Sequence, residues 1–196
     1  MAALNSPVSP QIVYTVPMDY SDFEPKAGSR ILVDTAPLIY LFKAEYAAAC
    51  AGSAGTADGS ASPDGRRGSE AEAVFGWLRK GGAELCASVL VWTELLAGED
   101  ARRDRALTGL IRRRLADSKF IRLIPVEVEI AELAAGLRPQ FELPDSIHIG
   151  TALSVDADAV LTNDEAWRGA AGLNKSTRDG RPHVIIFDEI RAARGF

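Results

Sequence analysis

Short unbroken apolar runs alternate along this chain with longer stretches in which apolar residues recur every third or fourth position, so strands and helices are predicted in turn. Ile31, Leu32 and Val33 form a β-favouring run with no polar interruption, the pattern of a strand buried on both faces. The run stops at one carboxylate, Asp34. Ala36-Pro37-Leu38-Ile39-Tyr40-Leu41-Phe42 then predicts a helix to about Ala48, with Pro37 where a first turn tolerates it. Ala73, Val74, Trp77 and Leu78 mark a second helix, opened by a capping box of Ser69 and Glu72 and ended by Gly81-Gly82. Ala83 to Ala87 reads as the second strand, and Ser88 caps a helix carrying Val89, Leu90, Trp92, Glu94, Leu95 and Leu96.

The alternation continues. Leu107, Leu110, Ile111 and Leu115 form the apolar stripe of a basic helix, and Phe120 to Ile124 is a third strand closed by Pro125. Val128, Ile130, Ala131, Ala134 and Leu137 predict a helix ending near Pro139, and Pro144 opens another. Asp156 to Asp164 supplies a fourth strand ending in another acid, followed by a short helix through Trp167. Val184 to Phe187 makes a last strand, after a polar loop from Asn174 to Pro182. Strands alternating with helices in this way predict an α/β domain built on a parallel sheet.

Punctuation sets the boundaries. Residues 1–29 hold four prolines among scattered polar residues and read as a weakly ordered lead-in, with Gln11 to Val16 a candidate edge strand. From Gly52 to Gly68 the chain is mostly Gly, Ala, Ser, Asp and Pro, which predicts a mobile insertion. One domain is expected over 30–196, because 196 residues at 47% hydrophobic suffice for one sizeable core. No internal repeat is visible.

No apolar run approaches the roughly 20 residues that cross a bilayer. The first seven residues lack the basic and apolar regions of a signal peptide, so a cytoplasmic protein without a membrane partner is expected. Cys50 and Cys86 suit neither a metal spacing nor a disulfide framework, as in a reducing compartment. A net charge of −5 argues against a nucleic-acid binder, but placement outweighs the sum. Between Ala101 and Arg122 eight basic residues face two acids, leaving eleven net negative charges on the rest of the chain. Arg102, Arg105 and Arg112 lie opposite the apolar stripe, as a solvated face or as a phosphate-contacting one.

Those acids carry the candidate chemistry. In an open parallel sheet, ligands collect at the carboxyl ends of the strands. Asp34 and Asp164 close strands there, while Glu94 and Asp145 lie on helices that enter the same sheet end. Asp34 alone reads equally as a helix cap, and Glu94 as a side chain reaching to solvent. His148, three residues after Asp145 on the same face, reads first as a hydrogen-bonded structural residue. Together the acids pose a problem: at about 5 Å and an effective dielectric near 20, each pair of carboxylates repels by roughly 3 kcal/mol. Either they stay apart, or a hard divalent cation holds them. Mg²⁺ or Mn²⁺, as one or two ions, suits oxygen ligands and serves phosphodiester chemistry. With two histidines, His148 and His183, no zinc spacing, glycine-rich phosphate loop or Ser-His-Asp set competes.

Ile31 to Thr35, Ser88 to Gly98, Leu143-Pro144-Asp145 and Leu161 to Asp164 together resemble the PIN-domain nucleases, closest to the VapC-type endoribonuclease toxins of type II toxin–antitoxin pairs. The resemblance spans about Arg30 to Phe187. It implies a three-layer sandwich with a parallel sheet of order 3-2-1-4-5 flanked by helices, and an acidic metal pocket at the strand ends. It further implies that Asp34, Glu94, Asp145 and Asp164 are the metal-holding catalytic acids, with Thr35, Thr162, Asn163 and His148 supporting them. Ala36 stands where the family usually has a small hydroxyl residue two places after the first acid. A homodimer, a small protein antitoxin and an RNA substrate are implied as partners, with Arg102, Arg105, Arg112, Arg168 and Lys175 as candidate RNA contacts. A housekeeping PIN nuclease and a PIN-like module that binds RNA or protein without cutting are the rival readings. A receiver-like phosphoacceptor is a third, for which an early acid pair and a late lysine cannot be placed.

Overall fold

A computed structural model describes residues 23–53, 63–169, 173 and 183–195 of the chain. Five strands, β1 (Arg30–Val33), β2 (Glu84–Ser88), β3 (Arg122–Ile124), β4 (Ala159–Thr162) and β5 (His183–Ile186), form one sheet of order β3-β2-β1-β4-β5. Every pairing is parallel: Ile31 faces Leu85 on one side and Ala159 on the other, Cys86 faces Arg122, and Thr162 faces Ile186. The helices are α1 (Thr35–Ser53), α2 (Pro63–Lys80), α3 (Leu90–Ala97), α4 (Glu99–Arg103), α5 (Arg105–Ala116), α6 (Val128–Leu137), α7 (Leu143–Ser154) and α8 (Phe187–Arg194), with a 3₁₀ turn at Glu165–Gly169.

The three layers follow from strand periodicity. Ile31, Val33, Leu85, Ala87, Ala159, Leu161 and Ile185 point to one face, where they bury residues of α1, α2, α3, α5 and α8. Leu32, Cys86, Val160, Val184 and Ile186 point to the other, against α6, α7 and Trp167. A strand covered on both sides has no polar face, which is why β1 reads as an uninterrupted apolar run. Cys86 lies fully inside, its thiol donating to the Ile31 carbonyl at 3.5 Å, and burial pushes that thiol up to about 12.

Several boundaries differ from the sequence reading. The stretch taken as a mobile loop to Gly68 is helical from Pro63, so Ser69 and Glu72 lie inside α2 rather than at its start. The glycine that looked like a loop residue serves helix packing: a Cβ on Gly68 would overlap Ala44 Cβ on α1 and lie 3.1 Å from Ala44 Cα. Gly68→Val is therefore expected to destabilise the fold by about 2 kcal/mol, read as a drop of roughly 4–8 °C in a thermal melt followed by circular dichroism. The far end of α2 matches expectation: Gly82 sits at φ +80°, and Ala83 N–H reaches the Leu78 carbonyl, the double-bonded cap that glycine permits.

The basic segment is two helices, broken at Asp104, whose carboxylate accepts the Ala106 and Leu107 N–H groups and caps α5. The last strand ends at Ile186, because Phe187 begins α8 and buries against the α1 face. Of the lead-in, Phe23 is buried with its ring edge-on to Trp77 and stacked on His183, so the ordered fold begins ahead of Arg30. The candidate strand at Gln11–Val16 lies outside the described residues.

Candidate active site

Strand order reverses at β1: the chain leaves it for β2 on one side and returns to β4 on the other. The crevice above their carboxyl ends is where an open α/β sheet takes its ligands. Asp34 follows β1 there, and its N–H donates to the Leu161 carbonyl at 2.9 Å, extending the pairing with β4 by one residue. Its carboxylate accepts the Thr35 N–H at 2.6 Å and the Thr162 hydroxyl at 2.7 Å. Thr162 Oγ1 in turn accepts the Asp164 N–H at 3.0 Å, and an Asp164 oxygen caps the 3₁₀ turn through the Ala166 N–H at 2.8 Å. One threonine hydroxyl thus joins the first and last acids of the set.

Glu94 comes from α3. An ionised carboxylate on an apolar helix needs partners, and it has two: the Thr35 hydroxyl and His148 Nε2, the latter at 2.9 Å. His148 rises from α7, is 1% exposed and stacks on Trp167. The reading of His148 as a hydrogen-bonded residue therefore holds, and its partner is a candidate catalytic acid. Thr35 supplies a hydroxyl one place after Asp34, although it serves Glu94 rather than the position that Ala36 leaves without one.

The four acids lie close enough to act on one another's charge. Burial pushes the Asp34 carboxyl up, opposed by His148 and by its two hydrogen bonds, while Glu94 adds to the rise. Asp145, in the first turn of α7, is pushed up by burial first, then by Asp34 and Asp164, with His148 opposing. Glu94 is lowered: its burial opposes ionisation, but the hydrogen bonds from His148 and Thr35 outweigh it. Among the described residues no lysine or arginine pairs with any of the four. Nor do three acidic, histidine or cysteine side chains close into a preformed cage there. An ion that keeps most of its waters and takes one or two carboxylates directly, as Mg²⁺ does, suits such an open set.

The raised groups have a consequence for stability. A carboxyl raised in the folded state binds protons more tightly there than in the unfolded chain, so stability falls as pH climbs past the ordinary carboxylate value. The loss is complete once pH exceeds the raised value. Asp145→Asn removes one charge at a half-exposed position, and after discounting for solvent screening should raise the metal-free Tm by roughly 1–3 °C at pH 7. Near pH 4 the gain should shrink towards zero.

The candidate RNA-contacting cations separate. Arg102, Arg105 and Arg112 are exposed on α4 and α5. Arg168 is half-buried and donates to Glu189 of α8. Lys175 lies outside the described residues. Asn163 donates weakly to the Tyr40 hydroxyl and to Asp188, both at 3.4 Å. Neither Tyr40 nor Asp188 was legible as part of a site. Tyr40 reads as one more apolar position of α1, and Asp188 belongs to a helix the strand pattern concealed.

A parallel sheet of this order, with acids from β1, α3, α7 and β4 at its topological switch point, defines a PIN-like α/β architecture. Comparison with protein families gives the same answer, since the PIN domain profile matches residues 66–173, over half of the chain. The chain belongs to the PIN-domain family, a family of nucleases. Glu94, Asp145 and Asp164 fall within the matched span, and Asp34 lies ahead of it on β1. Among solved structures, a toxin–antitoxin complex from Klebsiella pneumoniae is 21% identical, covering 80% of this chain and 97% of its own, at a TM-score of 0.49. VapBC2 from Rickettsia felis, bound to a DNA fragment from its promoter, is 9% identical over 80% of this chain and 98% of its own, at 0.50. No individual curated protein sequence matches.

Proposed function

We propose that this protein is a divalent-metal-dependent endoribonuclease and the toxin of a type II toxin–antitoxin pair. The observation that carries the reading is the gathering of Asp34, Asp145 and Asp164 at the strand ends, with Glu94 held beside them by His148 and, among the described residues, no lysine or arginine paired with any of the four. Evolution rarely leaves such mutual repulsion without use, and a divalent ion among oxygen ligands offsets it. Asp34, Glu94, Asp145 and Asp164 would hold Mg²⁺ or Mn²⁺ directly or through water, and the ion would neutralise a phosphodiester and acidify a water molecule.

The chain's own residues set the geometry for that chemistry. Thr162 and the Thr35 N–H fix the Asp34 carboxylate through one bond to each oxygen, which leaves each oxygen a further lone pair. Thr35 and His148 fix Glu94 from two sides, so neither acid must be ordered at the moment of reaction. Water adds to phosphorus in line with the departing 3′ oxygen, which takes a proton from solvent. The products carry 5′-phosphate and 3′-hydroxyl ends.

The Rickettsia felis neighbour is VapBC2 bound to a promoter DNA fragment, and with the resemblance to VapC-type toxins it favours a small antitoxin as a partner; a homodimer as the working state rests on that resemblance alone. No helix among the described residues is long and apolar enough to cross a membrane, which accords with action on cytoplasmic RNA. The test is single-turnover cleavage of single-stranded RNA with Mg²⁺ or Mn²⁺, comparing the native chain with Asp164→Asn. Metal-dependent cleavage that the variant loses supports the nuclease. Equal cleavage by both proteins removes it, and tight RNA binding without cleavage favours the non-catalytic module.

A further inference from the structure

We propose that Arg67 and Tyr40, braced by Asn163, form a binding subsite for a backbone phosphate of the RNA strand flanking the acidic pocket. The inference rests on the nuclease reading only for the identity of the strand. RNA drawn to four uncompensated acids meets repulsion of its own phosphates, so cations must stand near the pocket to receive its backbone. Several of the basic side chains around α1 and α8 are engaged elsewhere: Lys43 with Asp100, Arg114 with Glu45, Arg168 with Glu189. Arg67 has no carboxylate partner among the described residues. It is exposed on α2, and its guanidinium lies over the Tyr40 ring, 5.4 Å from the centroid.

That contact orients the guanidinium without consuming it. An aromatic face holds the plane of the group, while its N–H donors stay available for bidentate bonding to a phosphate. Tyr40 is itself held. Its ring packs 5.7 Å from that of Phe187, and its hydroxyl oxygen accepts the Asn163 amide at 3.4 Å. Because that oxygen accepts, the Tyr40 proton remains free to donate. Asn163 stands between Thr162, which binds Asp34, and Asp164, so the chain Arg67–Tyr40–Asn163 ends at the acids themselves. Asp188 takes the same amide at 3.4 Å, tethering it from α8. The Oδ1 of Asn163 is buried without a hydrogen-bond partner, so the side chain is held through its amide nitrogen alone.

The experiment measures both binding and cleavage of a short single-stranded RNA by the full chain and by Arg67→Gln and Arg67→Lys. Binding is followed by fluorescence anisotropy without metal over a range of salt, and cleavage by steady-state kinetics with Mg²⁺. Arg67→Gln is expected to raise Kd and KM about tenfold with kcat little changed, and to flatten the log K against log salt slope by about 0.7. Arg67→Lys keeps the charge but not the fork, and should fall between. A methylphosphonate walked along the RNA should weaken binding to the native chain at one linkage beside the cut, and that effect should vanish in Arg67→Gln. Unchanged KM, Kd and salt slope in a native chain that cleaves RNA would overturn the subsite and leave the nuclease standing. Arg67-dependent binding without any cleavage would keep the subsite and remove the nuclease. A native chain that neither binds nor cuts RNA would remove both.

Discussion

Asp34→Asn is expected to reduce single-turnover RNA cleavage by on the order of a thousandfold while leaving the melting curve of the metal-free protein intact or slightly raised. The argument is geometric. Asparagine is the same size and can still accept the Thr35 N–H, and the Thr162 hydroxyl can reverse its role to accept from the new amide. What it cannot supply is the negative charge at the point where β1 and β4 separate. Removing that charge also relieves Asp145, whose carboxyl Asp34 pushes up. Stability and activity should therefore move in opposite directions. A variant that cleaves as well as the native chain would mean that the charge at this position takes no part in the chemistry.

His148→Ala should lower kcat by about 10- to 100-fold, the usual penalty for removing a group that orients a metal-holding side chain. His148 does not need to touch RNA for this. Its Nε2 fixes Glu94 from within the α7 layer, and without it the acid keeps only the Thr35 hydroxyl. His148→Gln, which can place an amide N–H towards the same oxygen, should recover most of the loss. The distinguishing readout is Mn²⁺ affinity, which should weaken in the alanine variant and return in the glutamine variant. A merely structural histidine would instead lower the Tm of both variants and leave the affinity of the folded protein unchanged.

Much of the frame was readable from residue order alone, because a strand buried on both faces leaves a short apolar run, and β-branched residues and helix-start signals around it tell it from a buried helix. The runs ending at Val33 and Thr162 are such strands, and the acids beyond them fall where a parallel sheet takes ligands. Convergence of Glu94 and Asp145 with Asp34 was not readable in the same way. It depends on the tilt of α3 and α7 against the sheet, which tertiary packing decides; helix order placed both acids at the same sheet end but left open whether they meet there. Gly68 misled because glycine marks a loop or a close helix contact equally well, and Ala44 resolves which only in three dimensions. Phe187 misled because its apolar side chain continues the run of β5 while its backbone has already turned into α8. Arg67 gave no signal, since it lay in what read as a loop.

The central claim is that the four acids converge in order to share a divalent ion. Calorimetric titration of Mn²⁺ into the metal-free protein tests it most directly, with Asp34→Asn and Asp145→Asn alongside. Saturable binding by the native chain, weakened at least tenfold in each variant, is the expected result. Binding of equal strength in all three proteins, or none in the native chain, would contradict it.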